Sequence, residues 1–224
     1  MINPDAIIKT NRRSISITIS KIGEVIVHAP KRLPIEKIMS FVIDKESWIT
    51  KKRNEIQSTL INNNELLNYK AFSFCGKKYV PCAVAGIKKI ELSSTNLLVP
   101  EGLEKNELHL KIQKWYIKMA NIVLGERIEY FANLMQLDYN TLVISNSKNR
   151  WGSCDLHGNI KINYRVIMLP HKLIDYIIIH ELAHVIEMNH SKKFYNIIES
   201  IMPDYVTHRK QLKDYFFLLQ LFKA

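Results

Sequence analysis

His180, Glu181 and His184 stand in the order HELAH, with His190 six residues beyond the second histidine. Imidazole nitrogens and a carboxylate at this spacing suit metal-assisted hydrolysis. In a helix of 3.6 residues per turn, positions i and i+4 lie one above the other, so His180 and His184 can both point at a single ion. Glu181 sits about 100° round the axis from His180, close enough to reach a water beside that ion without ligating it.

A site that keeps one position open for water needs a third protein ligand. His190 lies too far round to share the helical face, so it can serve only if the chain turns back before it. Asn189 tolerates the left-handed conformation that ends helices and is the expected breaker, with a new helix starting at Ser191. A shuffled chain of this composition would contain HExxH roughly 0.02 times, and fixing the later histidine lowers that to roughly 0.0006. The competing reading is histidines packed on an amphipathic helix. A glutamate flanked by two histidines among Ile and Leu would, however, be costly to bury without a strong partner such as a metal.

The segment that must position these residues is apolar through Leu173, Tyr176, Ile177, Ile179, Leu182, Ala183 and Ile186, with Pro170 at its start, and reads as a buried helix. Ahead of it, TLVISNSKNRWGSCDLHGNIKINYRVIMLP reads as a strand, a loop, a turn at Leu156-His157-Gly158 and a second strand through Ile160, Ile162 and Tyr164. A long helical pattern from Asn106 to Leu137 is interrupted only by Gly125.

In the N-terminal part, Ile15, Ile17, Ile19, Val25 and Val27 alternate with polar residues around a glycine turn, the pattern of a half-buried hairpin. After Pro34 apolar residues recur at helical spacing as far as the INNNE tract. AFSFCGKKYVPCAVAGIKKIELSSTNLLVP returns to short alternating runs, expected as further strands of the same sheet. Pro100-Glu101-Gly102 reads as a hinge. The expectation is therefore α+β: an antiparallel β-rich domain with one helix over residues 1–100, then a helical catalytic domain with a short sheet over residues 101–224.

The 224 residues are 47% hydrophobic with only 7 Gly and 7 Pro, a composition that packs a core and argues against disorder. The N-terminal residues place an acid and a proline where a secretory leader would be apolar, and no apolar run reaches membrane-spanning length, so the chain reads as soluble and cytoplasmic. Three cysteines without a CxxC pair suggest neither a disulfide framework nor a cysteine zinc knuckle. The net charge of +11 admits a polyanionic or nucleotide partner, but the lysines are scattered in KK pairs, which favours a solvated basic surface. No glycine-rich phosphate loop is present.

Taken together, RSISITISKIGEVIVHAPKRLP with a tryptophan-containing helix, FCGKKYVP, RWGSCDLHGNIKINYRVIMLP, HELAHVIEMNHSKKFY and PDYVTHRKQL resemble the YgjP-like zinc metalloprotease family, a gluzincin-like relative of the SprT and WLM proteases. The resemblance covers nearly the whole chain. It implies one Zn²⁺ held by His180, His184 and His190, Glu181 as general base, a zincin-like catalytic core and a peptide or protein substrate. Tyr195 stands where the family usually has Trp. Glu187 stands where metzincins carry a turn glycine, which leaves the reversal to Asn189.

The expected reaction is peptide-bond hydrolysis: zinc acidifies a water, Glu181 takes its proton, and the proton returns to the leaving amine. Tyr205, His208 or Arg209 would supply an oxyanion donor if the last helix folds back over the site. RWGSC would shape the site wall, with Cys154 a small thiol rather than a fourth ligand. The strand from Ile160 to Tyr164 would offer an edge to an extended peptide. Two alternatives stand beside this reading. One is a metal-dependent pyrophosphatase acting on nucleoside triphosphates; the other is a nucleic-acid-associated binding module.

Overall fold

The computed structural model describes residues 2–222. Alternation in the N-terminal part produces the expected hairpin: β2 (Ser16–Ile19) pairs antiparallel with β3 (Val25–Pro30), Ile17 opposite Val27. Gly23 closes its turn at φ +90°, a conformation that side-chain-bearing residues rarely adopt. A further strand, β1 (Ala6–Thr10), adds parallel to β3 on its other side, so the sheet runs β1-β3-β2 and is mixed rather than purely antiparallel. Asp5 anchors it, with one carboxylate oxygen accepting the Val25 N–H at 2.7 Å.

Val25, Val27 and Ala29 of β3 are fully buried together with Ile38 and Val42 of α1 (Ile35–Asp44) and Ile49 of α2 (Glu46–Asn62). The single helix expected here is thus two. Lys45 joins them at φ −103°, ψ 7°, its N–H bonding only three residues back to Val42.

This first compact unit ends at Asn64 and a second begins at Glu65, within the short helix α3 (Asn64–Leu67). Pro100-Glu101-Gly102 lies inside the second unit, as the turn between a strand and a helix. That unit's first strands, β4 (Phe72–Phe74), β5 (Lys77–Val84), β6 (Glu91–Leu92) and β7 (Asn96–Pro100), form a sheet of their own in the order β4-β5-β7-β6, not an extension of the first one. They belong here because hydrogen bonds hold them. Ser73 Oγ donates to the Met168 carbonyl at 2.6 Å, Cys75 N–H to Ile167 at 2.6 Å, and the Tyr116 hydroxyl to Ser73 at 2.7 Å. Gly76 also touches down: a Cβ there would lie 2.8 Å from Pro170 Cα.

α4 (Lys105–Met135) runs unbroken through Gly125 and buries Ile112, Tyr116, Ala120, Leu124 and Ile128 at four-residue steps, a continuous apolar stripe. Gln136 ends it with left-handed backbone at φ 52°. A three-stranded sheet follows: β8 (Thr141–Ser145), β9 (Gly152–Cys154) and β10 (Asn159–Asn163), in the order β8-β10-β9. β10 is therefore the central strand, parallel to β8 and antiparallel to β9, and β9 rather than the expected Ile160–Tyr164 strand is an edge.

A 3₁₀ turn over Tyr164–Met168 leads into α5 (His171–Ile186), most of which is buried; α6 (Lys192–Ile201), α7 (Tyr205–Gln211) and a final 3₁₀ segment complete the chain. Arg127 of α4 fixes α5 by donating Nε and Nη2 to Asp175 Oδ1 at 2.9 and 2.7 Å. The architecture is α+β, as the periodicities imply. Among the described residues no helix is long and apolar enough to cross a membrane.

Candidate metal centre

α5 presents His180 and His184 one turn apart, with ring centroids at 4.9 Å. After Ile186 the chain leaves the helix through Glu187, which is extended at φ −140°, ψ 105°. Asn189 does not take left-handed backbone, so the expected breaker is not the residue that breaks. Its part is different: its N–H is accepted by Glu187 Oε1 at 3.2 Å, and its carbonyl accepts the Ser191 N–H at 2.7 Å, which tightens the reversal. Ser191 then caps α6 as expected, its Oγ accepting the Phe194 N–H at 3.3 Å.

The reversal brings His190 back. Its Nε2 lies 3.2 Å from His180 Nε2, and one ligand nitrogen from each of His180, His184 and His190 falls within 4.8 Å of the others. The ring of Phe194 packs against all three, with centroids at 5.0, 4.5 and 4.8 Å. His184 Nδ1 lies 3.2 Å from the Glu187 carbonyl, which favours the proton on Nδ1 and leaves the Nε2 lone pair free. The same extended Glu187 that ends the helix thus orients a ring.

The donor set fits a divalent transition-metal ion. Burial first, then the neighbouring charges of His184, His190 and Arg209, push His180 down to about 3, so its ring is neutral at physiological pH and a lone pair is available. Burial also lowers His184. Imidazole nitrogens of His180 and His190 facing each other at 3.2 Å, with one of His184 close by, form a convergent donor group that a shared cation satisfies.

Glu181 is 5% exposed, and burial pushes its carboxyl up to about 8 against the opposing charge of Arg150. It lies across β9, where Gly152 leaves room for it. Together with His180 it borders a cleft of about 270 Å³ whose other walls include Tyr176, Arg150, Trp151 and Phe216. Trp151 and Phe216 stack at 6.1 Å. The RWGSC segment therefore does form a wall of this cleft. Cys154 stands outside the group of three histidines, and burial, with the charges of Glu181 and Asp155, pushes its thiol up to about 11.

α7 packs against α5 and carries the other three candidates. Tyr205 stacks on Tyr195 at 5.7 Å, the Arg209 guanidinium lies 5.0 Å from the centroid of the same Tyr195 ring, and Tyr195 in turn stacks on His190 at 6.2 Å. The charge of Arg209 reaches His180 and Tyr176. His208 turns to Asp204, with Nε2 at 3.0 Å from Oδ2, and its Nδ1 is buried without a hydrogen-bond partner. Tyr176 and Tyr195 were not singled out by sequence as parts of the site. Tyr176 precedes His180 by one helical turn, a signal that its apolar neighbours mask.

Comparison with protein families places the chain among the metallopeptidases. The family is the YgjP-like one: its metallopeptidase domain matches residues 13–215, and the chain belongs to it. No curated protein matches the chain. Among solved structures, the metallopeptidase zymogen abylysin of Pyrococcus abyssi is similar at a TM-score of 0.38 and 21% identity, over 40% of this chain and 91% of that one.

Proposed function

We propose that the chain is a zinc-dependent peptidase in which His180, His184 and His190 hold one Zn²⁺ and Glu181 acts as general base. The observation that carries this reading is the convergence of three imidazoles beside a buried carboxyl raised to about 8. Bound at these nitrogens, the ion would supply a Lewis acid that acidifies water and polarises a carbonyl.

The chain's own residues do the rest. A Glu181 carboxyl poised near neutrality can take a proton on a carboxylate oxygen and return it to the departing amine. Gly152, lacking a side chain, lets that carboxylate lie against β9. Tyr176, pushed up to about 12 chiefly by burial, stays protonated and can donate to a developing oxyanion; Arg209 is the strongest of the three α7 candidates for the same task, since its charge reaches His180. Tyr205 would hold the Tyr195 ring, and His208 would fix the start of α7 through Asp204. The open edge of β9 offers backbone groups to an extended substrate beside Glu181.

The test is metal content by elemental analysis of wild type, His184→Ala and Glu181→Gln, each then assayed on unfolded protein and on nucleoside triphosphates. The expected outcome is about one zinc in wild type and in Glu181→Gln, turnover of unfolded protein by wild type alone, and neither metal nor turnover in His184→Ala. Phosphate release without proteolysis would replace the peptidase reading with the pyrophosphatase one.

A further inference from the structure

A larger concavity, about 560 Å³, lies in the second unit between α4 and the segment containing β6, and shares no lining residue with the cleft at Glu181. Its lining residues are of two kinds. Ile90, Leu92, Trp115 and Met119 are half-buried and give it an apolar floor. Lys88, Lys89, Lys111, Lys114 and Lys118 surround that floor, against one acid, Glu91.

The primary sequence builds this surface on α4, where positions 111, 114, 115, 118 and 119 recur at the spacing of a single helical face. Lys114 and Lys118 are like charges one turn apart, an arrangement that weakens a helix. Lys111 pairs with Glu107 at 3.9 Å, whereas the other four lysines make no ion pair among the described residues. Trp115 is held in place by Phe74 at 5.4 Å and Tyr116 at 5.0 Å. A fixed aromatic floor amid uncompensated cations is complementary to an anion with an apolar body.

The fold narrows the choice of anion. β6 is the end strand of its sheet, paired only with β7, so a strand edge borders the concavity. An extended polypeptide can use such an edge, the apolar floor and the cations together. Nucleic acid would use the cations and Trp115 but has no need of a strand edge. We propose that this groove docks an extended protein segment in which Asp or Glu residues flank a bulky apolar one. The role assigned to it, holding a protein substrate at a distance from the metal centre, rests on the peptidase reading; the docking itself does not.

The experiment uses the full chain carrying Glu181→Gln, so that the probe survives, and follows the fluorescence anisotropy of a labelled peptide with a central Phe between Glu residues. The expected result is saturable binding that weakens with salt, and that falls about tenfold or more when Lys114→Glu and Lys118→Glu are combined or when the probe's Phe becomes Ser. Both lysines are exposed and their replacement breaks no ion pair among the described residues, so an unchanged melting temperature is expected; Lys88→Gln with Lys89→Gln provides a second, milder variant on the facing side. Equal binding by wild type and the reversed variant, or a single-stranded oligonucleotide that binds more tightly and displaces the peptide, would overturn the proposal. Cleavage of a short neutral peptide, measured on the Lys114→Glu/Lys118→Glu chain with Glu181 intact, separates the two readings. Intact cleavage with lost docking of the acidic probe supports the groove, and docking without any cleavage removes the peptidase role alone.

Discussion

Glu181 packs its carboxylate against Gly152 so closely that a Cβ on Gly152 would lie 2.7 Å from Glu181 Cδ and 2.8 Å from its Cγ. The two residues are remote in sequence, one on the edge strand β9 and one on α5. Neither can move far, because β9 is laddered to β10 and α5 is buried.

Gly152→Ala should therefore displace the carboxylate without touching a histidine. Misplacement of a reacting group by about 1 Å can cost on the order of 100-fold in rate, and overpacking costs about 1–3 kcal/mol of stability. Metal content should stay at the wild-type level while kcat falls. A variant that keeps full kcat would show that Glu181 needs no fixed position.

The histidine centre makes a second prediction through linkage. An ion that binds only the folded chain raises stability by about 2.7 kcal/mol at a hundred times its dissociation constant. Zinc should raise the melting temperature of metal-stripped wild type and leave that of His184→Ala unmoved. Differential scanning calorimetry with and without a chelator measures both, and an equal rise in the two proteins would place the binding elsewhere.

Much of this was legible in the chain because it depends on spacing within one element. The His180–His184 pair follows from helical pitch, the β2–β3 hairpin from alternation, and the Ser191 cap from residue type. What escaped depends on partners distant in sequence. AIIKT carries no alternation that would mark β1, and nothing local says that it pairs in parallel with β3. NIKIN of β10 alternates, whereas the three residues GSC of β9 carry no alternation that would mark a strand, and β10 is central because it pairs with both β9 and β8. Asn189 has the better intrinsic propensity for a helix stop, yet Glu187 leaves the helix first and uses its carbonyl on His184. Gly152 looks like any turn glycine until Glu181 is placed beside it.

The hairpin that aims Gly152 has an acid-sensitive turn. Asp155 Oδ1 accepts the N–H groups of His157 and Asn159 at 2.9 and 3.0 Å, and the Asn159 side chain donates to both carboxylate oxygens. These bonds, that of the Asn159 side chain foremost, hold the Asp155 carboxyl below its usual range. Since its folded pKa is lower than its unfolded one, its stabilising contribution is complete above the unfolded value of an ordinary Asp and is lost as pH falls through the folded one. Asp155→Ala should thus be less stable than wild type at neutral pH, with the gap closing under acid. Paired urea titrations across that range measure it, and a gap independent of pH would assign the effect to the turn's shape alone.

The last prediction concerns the ring between His190 and α7. Tyr195 stacks on His190 at 6.2 Å and on Tyr205 at 5.7 Å, and Arg209 sits 5.0 Å from its centroid, so three contacts use its face. An aromatic face, rather than a hydroxyl, is what these contacts require. Tyr195→Phe and Tyr195→Trp should then keep both metal affinity and turnover. Tyr195→Ala should loosen His190 and Arg209 together and weaken metal binding by about 10–100-fold, the range seen when a group that orients a ligand is lost. Competition against a zinc-chelating dye reads this directly. If Tyr195→Phe fell as far as Tyr195→Ala, the hydroxyl and not the stack would be the part of Tyr195 that matters, and the arrangement of α7 over the histidines would have to be explained by Arg209 and Tyr205 without it.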